Sequence, residues 1–70
     1  DEIAVTIAGT RSLPGDIWSF STNDGARWQT TEYSTAVPRN GGKATIKRAA
    51  LGSYFVKFGG GRAVRAMRVQ

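Results

Sequence analysis

Residues 16–32, DIWSFSTNDGARWQTTE, are the stretch that decides the fold. Two alternating, aromatic-bearing runs flank Asn23-Asp24-Gly25. Asp-Gly between such runs signals a tight hairpin turn, because the turn needs residues that tolerate positive φ. In the first arm, residues 17–22, Trp18 and Phe20 fall on one face and Ile17, Ser19 and Ser21 on the other. In the second, residues 27–32, Trp28 and Thr30 lie opposite Arg27 and Gln29. Trp18, Phe20 and Trp28 are thus expected to be cross-strand neighbours, each pair worth about 0.2–1 kcal/mol beyond simple burial. A core face is the expectation, since the chain has few other large side chains to fill an interior; an exposed aromatic platform is the alternative.

Outward from the hairpin the same period of two recurs. Upstream, residues 3–8 alternate with Ile3, Val5 and Ile7 on one face, a strand expected to end at Gly9. Residues 10–15 then read as a loop, with Leu13 as an anchor and Pro14-Gly15 as turn chemistry. Downstream, residues 33–42 form the longest irregular stretch. Residues 43–49 are strand-like, with Ala44 and Ile46 inward and Lys43, Thr45 and Lys47 outward. Ala50-Leu51-Gly52 makes a short reversal. Residues 53–58 place Tyr54, Val56 and Phe58 inward and Phe55 with Lys57 outward, and Gly59-Gly60-Gly61 turns the chain into a last strand, residues 63–69. There Val64 and Ala66 share one face and Met67 and Val69 the other, so a bulge is expected near Met67 or Arg68. No segment keeps a helical period. Six short strands separated by turn signals predict a single all-β domain, a small SH3-like, partly open barrel of five to six antiparallel strands, with an OB-like barrel as second choice.

The 70-residue chain contains no cysteine and no histidine, which removes disulfides and the two commonest transition-metal ligand types. No metal or cofactor is expected. No apolar run is long enough to span a membrane as a helix. The chain starts Asp1-Glu2 without an initiator methionine, which suggests that an upstream signal peptide or domain has been removed. Catalysis has few candidates. Asp16, Asp24 and Glu32 do not form an acid–base pair by spacing, and turn aspartates such as Asp24 mostly serve the backbone. A serine or threonine nucleophile would need a lysine as its base. Gly59-Gly60-Gly61-Arg62 could cradle a phosphate but lacks the following helix that gives such loops their field, and a plain hairpin turn explains it. The protein is therefore read as a non-enzyme.

Charge is the most informative remaining feature. Net charge is +5, yet all five acids lie in the first 32 residues, and the eight cations after residue 32 face no acid in sequence. Lys43 and Lys47 alternate outward on one strand, Lys57 shares its face with Phe55, and Arg62, Arg65 and Arg68 recur every third residue on the last. If these strands are neighbours, the cations form one patch with an aromatic inside it. A solvated face that keeps the protein soluble is the bland explanation. An acidic protein surface, including the acidic part of another copy, is the second. A polyanion is the third, either nucleic acid stacked on Phe55 and Tyr33 or an acidic glycan. The N-terminal strand, with Ile3, Val5 and Ile7, lacks proline or lysine protection and could pair edge-to-edge with the basic C-terminal strand of another copy in an open assembly. Alternatively these two strands pair within one molecule.

Residues 46–54, IKRAALGSY, resemble a segment of uncharacterised extracytoplasmic proteins of proteobacteria that runs approximately I-x-R-G-A-L-G-S-Y. In those proteins it follows a hairpin of the form (D/N)-G-Q-x-W-x-Q and precedes an arginine-rich closing strand. Here the matching parts are residues 24–30, with Ala26 and Thr30 in place of the glutamines, and residues 62–69. Ala49 stands where the family has glycine. The resemblance implies export to the periplasm or beyond, a small β-fold and no known catalytic activity. The expected function is a non-enzymatic extracytoplasmic interaction or structural module that binds an acidic protein partner or itself, with polyanion binding as the alternative.

Overall fold

The computed structural model describes residues 2–69. Six strands, β1 (Glu2–Leu13), β2 (Ile17–Thr22), β3 (Arg27–Thr30), β4 (Lys43–Arg48), β5 (Tyr54–Phe58) and β6 (Ala63–Val69), make an antiparallel barrel. It closes in the order β1-β2-β3-β6-β5-β4. β1 to β3 form one meander and β4 to β6 a second, and β4 returns beside β1, the connectivity of a Greek key. The expected small all-β barrel is thus present, and it is closed rather than partly open.

Closure depends on the length of β1. Its first part, Glu2 to Thr6, pairs with β4, and its second part, from Ile7 to Leu13, pairs with β2. Gly9 therefore does not end the strand. Between the pairs Ile7↔Thr22 and Gly9↔Ser21 one extra residue, Ala8, is accommodated on β1. This bulge reverses the facing of the strand: Val5 and Ile7 point into the core before it, whereas after it Thr10, the half-buried partner of Phe20, takes the inward side, and Ser12, the partner of Trp18, follows on that side at the exposed end of the strand. Gly9 fits because a Cβ there would lie 3.3 Å from the Ser21 hydroxyl oxygen. The expected bulge in β6 is absent: its register with β3 and with β5 is continuous. Its pattern departs from alternation for another reason. Arg68 occupies an inward position at the barrel mouth, with its guanidinium 6.0 Å from the centre of the Trp28 ring.

Val5, Ile7, Phe20, Trp28, Ala44, Ile46, Val56, Phe58 and Ala66 fill the interior. Phe20 meets Phe58 edge-to-face at 5.1 Å, and Trp28 meets Tyr54 at 4.9 Å, so the hairpin aromatics pack across the barrel onto β5. Trp18 shares their face but is half-buried near the end of the hairpin. Leu13 is a ladder partner of Ile17 rather than a loop anchor, and β3 stops at Thr30. At the hairpin tip Gly25 has φ +88°, and Asn23 clips the turn onto β1: its N–H donates to Thr6 O (2.9 Å) and its side-chain oxygen accepts from Thr6 N–H (3.0 Å).

Candidate functional site

Register builds one outward row across four strands. Glu2 on β1 pairs with Lys47 on β4, Lys47 with Phe55 on β5, and Phe55 with Arg65 on β6. The next row runs Ala4, Thr45, Lys57, Ala63. Because strands alternate, these side chains share the solvent face, and Phe55 sits among Lys47, Lys57 and Arg65. The Arg65 guanidinium lies 4.7 Å from the Phe55 ring centre, a cation–π distance that leaves the ring half-buried. Glu2, Thr45, Lys47, Phe55, Lys57 and Ala63 line a depression of about 210 Å³.

The other expected members stand away from Phe55. Lys43 stands one row further along β4 and donates from Nζ to Thr6 Oγ1 at 3.0 Å. Arg62 belongs to the β5–β6 turn, where with Tyr33 it lines a groove of about 480 Å³ formed by residues 32–36 and 61–64. Arg68 lies at the barrel mouth beside the hairpin tip, against Trp28 and close enough to Asp24 to stabilise its charge. The acidic and basic parts of the sequence are thus interleaved: Glu2 comes to Lys47 and Asp24 to Arg68. The strand pairing expected of Ile3, Val5 and Ile7 is taken up inside the barrel, where β1 binds β4 and β2, and β6 binds β3 and β5, so the two terminal strands do not pair with one another. Val5 and Ile7 are core, and only Ile3, half exposed at the end of its row, faces water.

Asp24 is held below the usual carboxylate range. Thr22 Oγ1–H donates to its Oδ1, Ala26 N–H does so at 3.2 Å, and Arg68 adds a favourable charge. These bonds serve the turn, as the sequence implied. Among the described residues no group of three or more His, Cys, Asp or Glu could hold a metal, and no helix is long and apolar enough to cross a membrane.

Leu51 is a feature that sequence reasoning passed over. Ser53 N–H closes a turn onto Ala50 O at 3.2 Å, across Leu51 (φ 59°, ψ 36°) and Gly52 (φ 77°). Positive φ at both central positions is the type I′ pattern, which favours Asn-Gly. Leucine there is strained, and its side chain is fully exposed (104 %). The turn is braced from the cationic face: Ser53 Oγ–H donates to Ala50 O (2.7 Å) and accepts from Arg65 Nη1–H (3.3 Å). A reversal this short between paired strands was the signal available in sequence. A second cluster, Arg11 and Arg27 around Ser19 and Ser21, was also missed, because these arginines lie in the acidic part of the chain.

No protein-family model, curated protein or solved structure matches the chain, so its chemistry is read from its own geometry.

Proposed function

We propose that the barrel is a non-enzymatic interaction module of an exported protein, and that the face of Lys47, Lys57 and Arg65 around Phe55 binds an acidic protein surface. The observation that carries this reading is the placement of an aromatic ring among three cations from adjacent strands. A ring already stacked by Arg65 offers its remaining surface to apolar groups of a partner, while the cations answer carboxylates at the rim. The closed hydrogen-bond ladder directs recognition to side chains rather than to strand addition.

A second reading keeps a single-stranded polyanion, because the depression at Phe55 and the groove at Arg62 and Tyr33 adjoin at Ala63, which lines both. Fluorescence anisotropy with two labelled probes separates them: a peptide of alternating glutamate and leucine, and an oligothymidylate. The peptide is expected to bind, and K47E/K57E to weaken it on the order of tenfold. Binding of the oligothymidylate alone, with a log–log salt slope of about −0.7 for each phosphate neutralised, would transfer the face to nucleic acid. Binding of neither probe at about 50 mM salt would refute both.

A further inference from the structure

We propose that Leu51 is the plug of a head-to-tail contact between copies of this chain, and that the groove under Tyr33 is its socket. The contact leaves Lys47, Lys57 and Phe55 free, but it shares with the face proposed above Arg65, which braces the plug, and Ala63, which lines the socket. Leu51 projects into water from a left-handed backbone position, so folding gains nothing from its apolar surface and loses by its conformation. A residue that costs the fold and is held in place by Ser53 and Arg65 is accounted for by an external contact.

The socket is defined by the same barrel. Tyr33, Ala36, Ala63 and Val64 give the groove apolar walls, Tyr33 being 66 % exposed, and Ser34 holds the loop by donating from Oγ to Ala36 O at 2.8 Å. Its volume of about 480 Å³ admits a leucine side chain with room for the flanking alanines. Glu32 in the socket can answer Arg48, which stands at the base of the plug and pairs with Tyr54 in the ladder, while Arg62 on the same lining leaves the groove without net charge. Position agrees with this pairing. β5 starts just after the plug and runs into the Gly59–Gly61 turn that borders the socket, so the two lie at opposite ends of one strand. A protrusion at one end that fits a cavity at the other makes a heterologous contact, which extends rather than closing as a symmetric dimer.

A contact of one plug and one socket is small, so its Kd is expected on the order of 0.1–1 mM, and association is read at high concentration. The experiment is sedimentation velocity and light scattering of the 70-residue chain from about 10 µM to about 1 mM. Wild type is expected to grow in mass without a fixed end point. L51N removes the plug while suiting the turn, and Y33S removes an exposed wall of the socket; each should remain a monomer. Mixed in equal amounts, the two variants still hold one intact socket and one intact plug between them, so they should form dimers and nothing larger. A monomeric wild type at the top concentration overturns the proposal. So does an L51N that associates like wild type, or a mixture that stays monomeric when wild type assembles. Co-sedimentation with phosphatidylglycerol vesicles, present in wild type and lost in L51N, would overturn it by giving the plug to a membrane surface.

Discussion

Substitution of Thr22 tests how the hairpin is locked. Thr22 is 2 % exposed, and its hydroxyl lies within hydrogen-bond distance of the Trp28 indole, the Asp24 carboxylate and the Ala26 carbonyl. It accepts from the Trp28 indole N–H at 3.2 Å and donates to the Asp24 carboxylate. In Thr22→Val the shape is kept while the indole N–H, buried with a side chain that is only 4 % exposed, loses its acceptor. An unsatisfied buried donor costs about 1–3 kcal/mol. Asp24 adds little to this, because it is exposed and water replaces the lost donor. For a domain of this size 1 kcal/mol moves Tm by about 4–8 °C, so a fall of about 5–20 °C is expected. Thr22→Ser keeps the hydroxyl and loses one methyl, at about 0.5–1.5 kcal/mol. Urea denaturation of wild type, T22V, W28F and the double variant completes a cycle. With phenylalanine at position 28 there is no donor to strand, so T22V should then cost less than about 0.5 kcal/mol. Equal costs of T22V in both backgrounds would refute the assignment of the hydroxyl as the acceptor of Trp28.

Leu51→Asn should stabilise the fold, since asparagine tolerates the left-handed position whereas leucine pays about 1–2 kcal/mol there and buries nothing. A rise in Tm of about 4–8 °C is expected, and an L51N melting no higher than L51A, which keeps the same strain, would count against it. Acid should loosen the hairpin tip. Because the folded pKa of Asp24 is lowered, its contribution is fully present above the unfolded value, near pH 4, and is lost as pH falls through the depressed value. Asp24→Asn should therefore flatten the stability profile below about pH 4, measured by urea midpoints from about pH 2 to 7. Val56→Ala, at a side chain with no exposure, opens a void in the centre of the barrel and should cost about 1–3 kcal/mol, against near zero for Lys57→Ala next to it.

The sequence resolved what has a period of two and missed what depends on where a strand bends. The hairpin at Asn23-Asp24-Gly25, the inward sets on β4 and β5 and the Gly59–Gly61 turn are legible because each is decided by neighbours along the chain. The continuation of β1 past Gly9 is not. Its alternation changes phase at Ala8, so a single period fails on both sides of the bulge, and only the register with β2 restores it. The same shift decides closure, since it lets one strand serve β4 and β2 in turn. Lys47, Phe55, Lys57 and Arg65 could be grouped from sequence because short turns make β4, β5 and β6 neighbours. Arg68, three residues on from Arg65, falls on the opposite face when the period of two runs unbroken, and the bulge expected near Met67 or Arg68 hid that until the continuous register with β3 and β5 removed it.

Two turns of this barrel respond to the same backbone requirement in opposite ways. At the β2–β3 turn the positive φ falls on Gly25, Asp24 accepts local hydrogen bonds, and Asn23 ties the tip to Thr6. Every choice there favours the folded chain. At the β4–β5 turn Gly52 meets one such requirement, yet Leu51 occupies the other with a side chain that touches nothing. In a small domain that buries little surface, a penalty of about 1 kcal/mol is a sizeable share of the total stability. Departures from local rules are most informative where the surrounding structure is otherwise consistent, and there they point to contacts outside the fold. The bonds from Arg65 through Ser53 to Ala50 hold the backbone of the turn, so they set where Leu51 leaves the barrel while its side chain, touching nothing, keeps its rotamer freedom. Docking then orders the leucine rotamer but not the loop that carries it, and sparing that backbone ordering is what a contact of such small area requires.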